Sequence, residues 1–211
     1  MTMNKLFTTL FWMVFGALSV FFSFHPLNYL LADQPIMLLL SKSAALIESN
    51  FYMICFYLHI IFGGVALLIG WLQFLKKLQQ DYRSIHRWIG KIYILSVIIS
   101  GIPGFYIAFH ASGGLSPKLG FSIGAVLWVV LTTFGFLTAK RGQIALHQKL
   151  MTYSYAGTFG AVTLRLWLPF LISVFGGFTP AYQVVAWLSW LPNMLIVYLM
   201  FERQKKLQMA L

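Results

Sequence analysis

Two histidines occupy matching positions in this sequence, each at the edge of a long apolar run. His86 opens the phrase HRWIGKIY, and His147 opens the phrase HQKLMTYSY. Two imidazoles at one depth on facing helices can hold the iron of haem b, each through one ring nitrogen. The phrases therefore predict His86 and His147 as axial ligands. The alternative is that both are polar rim residues, stabilised by water and lipid phosphate.

Cations near these two histidines would pair with the haem propionates, because guanidinium and ammonium groups bind carboxylates strongly. The predicted contacts beside the pair are Arg83, Arg87, Lys91 and Lys149. His59 and His110 form a weaker candidate pair, since they come from neighbouring apolar runs and lie at unequal depth. His25 follows the first run and is interpreted as an interfacial loop residue.

Arg165 is the second unusual feature, because it lies within the apolar phrase TLRLWLP. An arginine at the centre of a membrane helix costs at least about 2.5 kcal/mol on insertion scales, so it requires a partner. The partners open to it are Asp33 and Glu48, lipid phosphate, a haem propionate or the acid group of another ligand. Ser154 and Thr158 share a helical face with Arg165. In the binding or transport hypothesis, these three residues line a cavity for a small anion or a lipid headgroup.

Composition identifies the elements that must position these side chains. Of 211 residues, 60% are hydrophobic and 9% are charged, whereas a soluble domain has about 25% charged residues. Apolar runs of this length predict membrane-spanning helices and are too continuous for barrel strands. The expected fold is all-α, an integral membrane bundle of six transmembrane helices in a single domain, residues 1–211. The predicted spans are 6–24, 51–75, 88–111, 119–139, 149–172 and 181–201.

The charged residues predict the orientation of the bundle. The net charge is +11, and of fifteen cations only Lys42, Lys118 and Arg165 fall on one side of the six-span arrangement. The positive-inside rule then places both termini in the cytoplasm. The first span follows Lys5 and lacks a cleavage site of small residues, so it is interpreted as an uncleaved anchor. The basic excess reflects topology, and no nucleic-acid-binding module is found.

The scarcity of acids and cysteines argues against several functions. No Asp or Glu falls within a predicted span, which disfavours a hydrolytic triad and the carboxylates of proton-coupled carriers. Cys55 is the single cysteine, so a packed, inert thiol is expected and thiolate metal sites are excluded. The loop 25–50 is the longest on the outer side, and its centre, 36–48, is predicted to form a short helix on the membrane surface.

Helical periodicity predicts which faces of the spans look inward. One stripe carries His59, Gly63, Ala66, Gly70 and Gln73, a second carries His86, Gly90, Tyr93, Ser100 and Gly104, and a third carries His147, Ser154, Thr158, Ala161 and Arg165. The small residues allow the close approach of another helix or of a flat cofactor. Polar groups avoid lipid, so the third stripe is expected to face the interior.

Four phrases resemble a bacterial family of predicted membrane proteins, catalogued as domain of unknown function 2306. They are FYLHIIFGGVALLIGWLQF, HRWIGKIYILSVIISGIPGFYIAFHASGG, GFSIGAVLWVVLTT and HQKLMTYSYAGTFGAVTLRLWLP, in this order within about residues 50–175. The resemblance implies a multi-pass protein of the bacterial cell inner membrane and supplies no established activity. A looser resemblance is to membrane b-type cytochromes. The fourth span lacks a histidine, however, which disfavours a second haem.

Three hypotheses for function follow from these patterns. The leading one is a haem b electron carrier between a membrane quinol and an acceptor, with His86 and His147 on the iron. The first alternative is a non-redox protein that binds or transports a small anion or a lipid headgroup. The second is an assembly or sensory protein that acts through partner helices. The lipid bilayer is the expected environment in all three, and no enzymatic activity is assigned.

Overall fold

The structure is a computed structural model that describes residues 3–209, without the side chains of residues 3–5 and 37. The predicted orientation used the charge of Lys5, whose side chain lies outside the described residues. The α-helices are α1 (Met3–Ser23), α2 (Pro26–Leu30), α3 (Ala44–Ile47), α4 (Asn50–Gly70), α5 (Lys76–Gln80), α6 (Arg83–Ala108), α7 (Leu115–Lys140), α8 (Ile144–Thr158), α9 (Gly160–Phe175), α10 (Phe178–Leu188) and α11 (Leu191–Met209). Short 3-10 helices form at Met37–Ser41 and Trp71–Phe74.

Six segments of the described chain are helical, long and apolar enough to cross a membrane. In order, these spans are Leu6–Leu30, Asn50–Phe74, Arg83–Ala108, Leu115–Lys140, Ile144–Phe175 and Phe178–Met209. Large apolar side chains such as Phe7, Trp88 and Ile102 point out of the bundle, as expected for helices that contact lipid. The predicted number of spans and the all-α class are therefore confirmed, and Cys55 is buried as predicted.

The first span is longer than the prediction of 6–24. After a two-residue turn, α2 continues the span to Leu30, because Pro26 occupies the first turn of α2, where a missing N–H costs nothing. His25 therefore lies at a bend inside the span, and its interpretation as a loop residue is wrong. In the loop 31–49 that follows, the predicted single helix is replaced by two short ones, Met37–Ser41 and α3.

Spans five and six are each interrupted at depth, which the sequence analysis did not predict. Span five breaks between α8 and α9, and span six breaks between α10 and α11. Pro192 explains the second break, because a proline ring clashes with the carbonyl four residues earlier, here that of Leu188. The Asn193 amide donates to the carbonyls of Ser189 at 3.1 Å and Ala156 at 3.2 Å. One side chain therefore bridges the carbonyls that the two breaks leave free.

A buried network of hydroxyl groups joins spans three, four and five at the centre of the bundle. The Tyr93 hydroxyl lies 2.7 Å from both Ser154 Oγ and Thr158 Oγ1. Thr132 Oγ1 lies 2.6 Å from Ser154 Oγ, and Trp128 Nε1 donates to Thr158 Oγ1 at 2.8 Å. These bonds satisfy polar groups that lipid could not. The prediction that the third stripe faces the interior is confirmed for Ser154 and Thr158, both of which are buried.

Gly70 lies where spans two, three and five meet. A Cβ at this position would lie 2.5 Å from Tyr155 Cε2 and 2.7 Å from Tyr93 Cε2. The Tyr155 hydroxyl is in turn 3.0 Å from both the Leu67 carbonyl oxygen and Ser19 Oγ. At this end of span two, the small residue therefore serves helix packing rather than cofactor binding.

Candidate functional site

A cavity of about 640 Å³ is lined by residues from every span and from the loop 31–49. We call the half of the bundle that carries this loop the outer half, and the opposite half the inner half. Most of the lining is apolar, and its ionisable residues are three tyrosines together with His25, Lys42, His59 and Arg165. No aspartate or glutamate of the described chain lines it. Its volume is within the range of about 300–1,000 Å³ that is typical of small-molecule and cofactor sites.

Arg165 reaches this cavity from α9. Its Nη1 donates to the Ala161 carbonyl of the same helix at 2.6 Å, while its Nε is buried without a hydrogen-bond partner among the described residues. Asp33 and Glu48, two of the predicted partners, are exposed and do not line the cavity. Neither carboxylate therefore supplies the counter-charge that a buried guanidinium requires.

Three ionisable side chains lie close enough to Arg165 for its charge to act on them. They are His25, Tyr29 and His59. An imidazole can add only positive charge, and a phenol in apolar surroundings stays neutral. None of these neighbours neutralises the guanidinium, so the described residues that line the cavity supply no anion.

His59 is held in one orientation by span three. Ser100 Oγ donates to the His59 carbonyl at 2.8 Å, and His59 Nδ1 lies 3.1 Å from the Ser100 carbonyl oxygen. Because a carbonyl oxygen only accepts, Nδ1 is the donor, and Nε2 keeps its lone pair. Gly104 permits this approach, since a Cβ there would lie 2.5 Å from His59 Nδ1.

His59 and Arg165 lie at similar depth. His59 follows the start of α4 at Asn50 by nine residues, and Arg165 precedes the end of α9 at Phe175 by ten. At 1.5 Å per residue, both side chains are about 13–15 Å below the outer ends of their helices. Both line the same cavity, so one ligand can contact both.

Lys42 closes the outer end of the cavity. Its Nζ donates to the His110 carbonyl at 2.6 Å and to Ser112 Oγ at 3.2 Å, and Ser41 Oγ lies 3.1 Å from the same Ser112 hydroxyl. These bonds hold the outer loop against the end of α6. Burial, together with the nearby charge of Lys118, lowers the pKa of Lys42 to about 8.

The lowered pKa of Lys42 predicts a pH dependence of stability. Between about 8 and the ordinary value of 10.5, the unfolded chain binds a proton that the folded protein lacks. The free energy of unfolding should therefore rise as the pH increases above 8. Thermal unfolding of the purified protein between pH 7 and pH 10, compared with Lys42→Met, measures this contribution. Lys118→Gln should move the start of this rise in stability to a higher pH. Identical profiles for wild type and Lys42→Met would refute the role of Lys42.

His86 and His147 lie in the inner half, and neither lines the cavity. His147 Nδ1 is 2.8 Å from the Gly135 carbonyl oxygen, so it donates there and leaves Nε2 with its lone pair. His86 Nδ1 is buried with no hydrogen-bond partner in the described part of the chain. Among the described residues, no hydrogen bond or ring contact joins His86 to His147.

The predicted propionate contacts of the inner half are all exposed: Arg83, Arg87, Lys91 and Lys149. Lys91 Nζ lies 4.8 Å from the Trp88 ring centroid, and Lys149 Nζ lies 5.7 Å from that of Phe201. Such contacts between cations and aromatic rings are common where helices leave the membrane. Of the predicted anion contacts, Arg165 alone lines the cavity.

His59 and His110 do not converge on one site. The His110 ring packs against Tyr52 and Tyr106, with centroid distances of 5.6 and 5.0 Å, and does not line the cavity. His25 is instead the second histidine of the cavity, which the sequence analysis missed because it interpreted this residue as part of a loop. Over residues 3–209, no cluster of three or more His, Cys, Asp or Glu is placed to hold a metal ion.

Comparison with known proteins gives one match. The model of a family described as predicted membrane protein (DUF2306) matches residues 56–201. The match includes the four phrases that carried the resemblance and extends through most of span six. It also includes His59, Arg165 and both helix interruptions. No curated protein and no solved structure is significantly similar to the chain.

Proposed function

We propose that this chain, which belongs to the family of predicted membrane proteins matched over residues 56–201, binds an acidic ligand with an apolar body in its outer-half cavity. The observation that carries the proposal is Arg165, whose Nε is buried without a hydrogen-bond partner among the described residues. Its side chain lines an apolar cavity that no described carboxylate lines. A guanidinium binds carboxylate or phosphate oxygens in a planar, two-bonded geometry. A ligand of this kind brings the missing anion, while its body covers the apolar walls.

The interruptions of spans five and six lie beside the cavity. Gly160 follows the first interruption and Ser189 lies in the second, and both line the cavity. Phe159 and Ser189 keep right-handed helical dihedrals, so both interruptions are local kinks in continuous spans. A cavity lined by all six spans favours ligand binding or transport over assembly through partner helices.

A pair of matched probes tests the proposal. Dodecanoic acid and its methyl ester share one apolar chain, and only the acid carries a charge. The acid, and not the ester, should raise the thermal unfolding temperature of the purified protein in a neutral detergent. Arg165→Leu should weaken binding of the acid roughly 10- to 100-fold, because losing a hydrogen bond to a charged group costs about 1.5–3 kcal/mol.

The control variant is Lys118→Gln, which removes an outer-half cation that does not line the cavity. It should bind the acid like the wild type. Arg165→Lys keeps the charge but loses the planar fork, so its affinity should be intermediate. Equal affinity in wild type and Arg165→Leu would refute the proposal.

A second candidate function is electron transfer by haem b bound between His86 and His147 in the inner half. The hydrogen bond from His147 Nδ1 to the Gly135 carbonyl supports it, since metal-bound histidines commonly donate their other N–H in this way. His86 Nδ1 has no such partner among the described residues, so only His147 shows this feature. A haem held by the two histidines would supply one-electron chemistry with a membrane quinol as partner. A visible spectrum, reduced minus oxidised, should show an α-band that His86→Ala and His147→Ala each abolish. Its absence after expression with added haem would end this candidate.

The location that fits these proposals is the bacterial inner membrane, with both termini in the cytoplasm. Exposed cations lie at the inner-half ends of the spans, among them Arg83, Arg87, Lys140 and Arg141. Cytoplasmic loops are enriched in such residues. A reporter that functions only in the cytoplasm should be active when fused to the C-terminus and inactive when inserted into the loop 31–49.

A further inference from the structure

We propose that the ligand of the outer-half cavity is a haem, with His59 Nε2 bound to its iron and Arg165 paired with a propionate. This inference rests on the proposed function, because haem is itself an acid with a broad apolar body. It places a haem in the half of the bundle opposite His86 and His147.

The hydrogen bonding of His59 is the first support. Its Nδ1 donates to the Ser100 carbonyl, and no described residue donates to Nε2. Histidines on metals typically donate their other ring N–H to a carbonyl or carboxylate, which fixes the ring and increases the basicity of the ligating nitrogen. The nitrogen left free on His59 belongs to a side chain that lines the cavity.

The size and the lining of the cavity are the second support. Its volume is about 640 Å³, and most of its lining is apolar. Its glycines serve helix packing, since a Cβ at Gly64, Gly124 or Gly160 would meet neighbouring protein atoms at 2.7–3.2 Å. Helix bundles hold cofactors in such spaces between facing helices.

Charge is the third support. Haem carries two propionates, and Arg165 faces the cavity, which no aspartate or glutamate of the described residues lines. His25 is the other imidazole of the cavity, and its buried Nδ1 has no described hydrogen-bond partner. It is the residue available for the second axial position of the iron. A neutral quinone or a single-chain fatty acid would leave the free nitrogen of His59 unused.

Haem content and the visible spectrum of protein expressed with added haem test this inference. The reduced-minus-oxidised spectrum of the wild type should show a sharp α-band. His59→Gly should lower the haem content by one per chain, and imidazole added to the buffer should restore it by occupying the vacated space. Recovery with imidazole also shows that the variant is folded. His110→Gly is the matched control, since His110 lies at the outer end of span three without lining the cavity, and it should retain the haem.

The other outcomes separate this inference from the proposed function. A colourless wild type that binds dodecanoic acid through Arg165 would overturn the haem and leave the proposed function intact. A colourless wild type without Arg165-dependent binding would overturn both. A band unchanged in His59→Gly and lost in His86→Ala would assign the haem to the inner half, and the inference would be wrong.

Discussion

Gly70→Ala is expected to lower the free energy of unfolding by about 3–5 kcal/mol, a large fraction of the stability of an average domain. The new Cβ would lie 2.5 Å from one carbon of the Tyr155 ring and 2.7 Å from one of Tyr93. Both rings are buried, with 2% and 1% of their surface exposed. Neither can shift without stretching its hydroxyl contacts to Ser154 and Leu67. Overpacking and lost hydrogen bonds therefore act together.

Gly90→Ala is the matched control for this prediction. Its Cβ would meet only Gln73 Oε1, at an ordinary 3.5 Å, and alanine favours a helix over glycine by about 1 kcal/mol. This control should be neutral or slightly stabilising. Unfolding of both variants in detergent, followed by tryptophan fluorescence, gives the comparison. If Gly70→Ala proved as stable as Gly90→Ala, the close packing of spans two, three and five at Gly70 would be refuted.

The number of spans and the inward faces were predictable because both depend on local pattern. Apolar length alone defines a membrane span. The 3.6-residue repeat aligned Ser154 and Thr158 on one face, and the structure buries both. The same repeat aligned His59 with Gly63, which lines the cavity. It also aligned His59 with Gly70, which lies at the contact of spans two, three and five.

The cavity was not predictable, because it depends on residues that are far apart in the sequence. Six spans and one loop contribute to its lining, and no local pattern indicates that they converge. Pro26 fits the first turn of the next helix, and His25, interpreted from sequence as a loop residue, consequently lies inside the bundle. Pro192 explains the break in span six, which the sequence analysis did not predict. The break in span five follows Phe159 without any proline.

The matching phrases drew attention to His86 and His147, whereas the large cavity lies beside His59. Sequence spacing can align histidines at one depth, but it does not show where the helices separate to leave space. His59 appeared weaker because its presumed partner was His110. The structure gives it Ser100 as a hydrogen-bond partner and Arg165 as a charged neighbour. The position of the space, rather than the pairing of histidines, therefore distinguishes the two sites.

Arg165→Met is expected to stabilise the ligand-free protein by about 1–2 kcal/mol, the lower part of the range found when buried ion pairs are replaced by apolar residues of similar size. The wild-type side chain is half-buried, and its Nε has no hydrogen-bond partner among the described residues. The Ala161 carbonyl therefore compensates the desolvation of the guanidinium only in part. With a bound acid the order should reverse. A ligand at 100 times its Kd adds about 2.7 kcal/mol to the wild type, and Arg165→Met should gain little.

Thermal unfolding of protein stripped of bound ligand, with and without dodecanoic acid, measures this reversal. Leu166→Met is the matched control, since Leu166 is 52% exposed on the outside of the same helix, and it should follow the wild type in both conditions. If Arg165 served only to hold α9 through Ala161, Arg165→Met would be the less stable protein with or without the acid. If Arg165 instead destabilises the ligand-free protein and stabilises the protein with bound acid, it is a binding residue. Its guanidinium then obtains its negative partner only from the ligand.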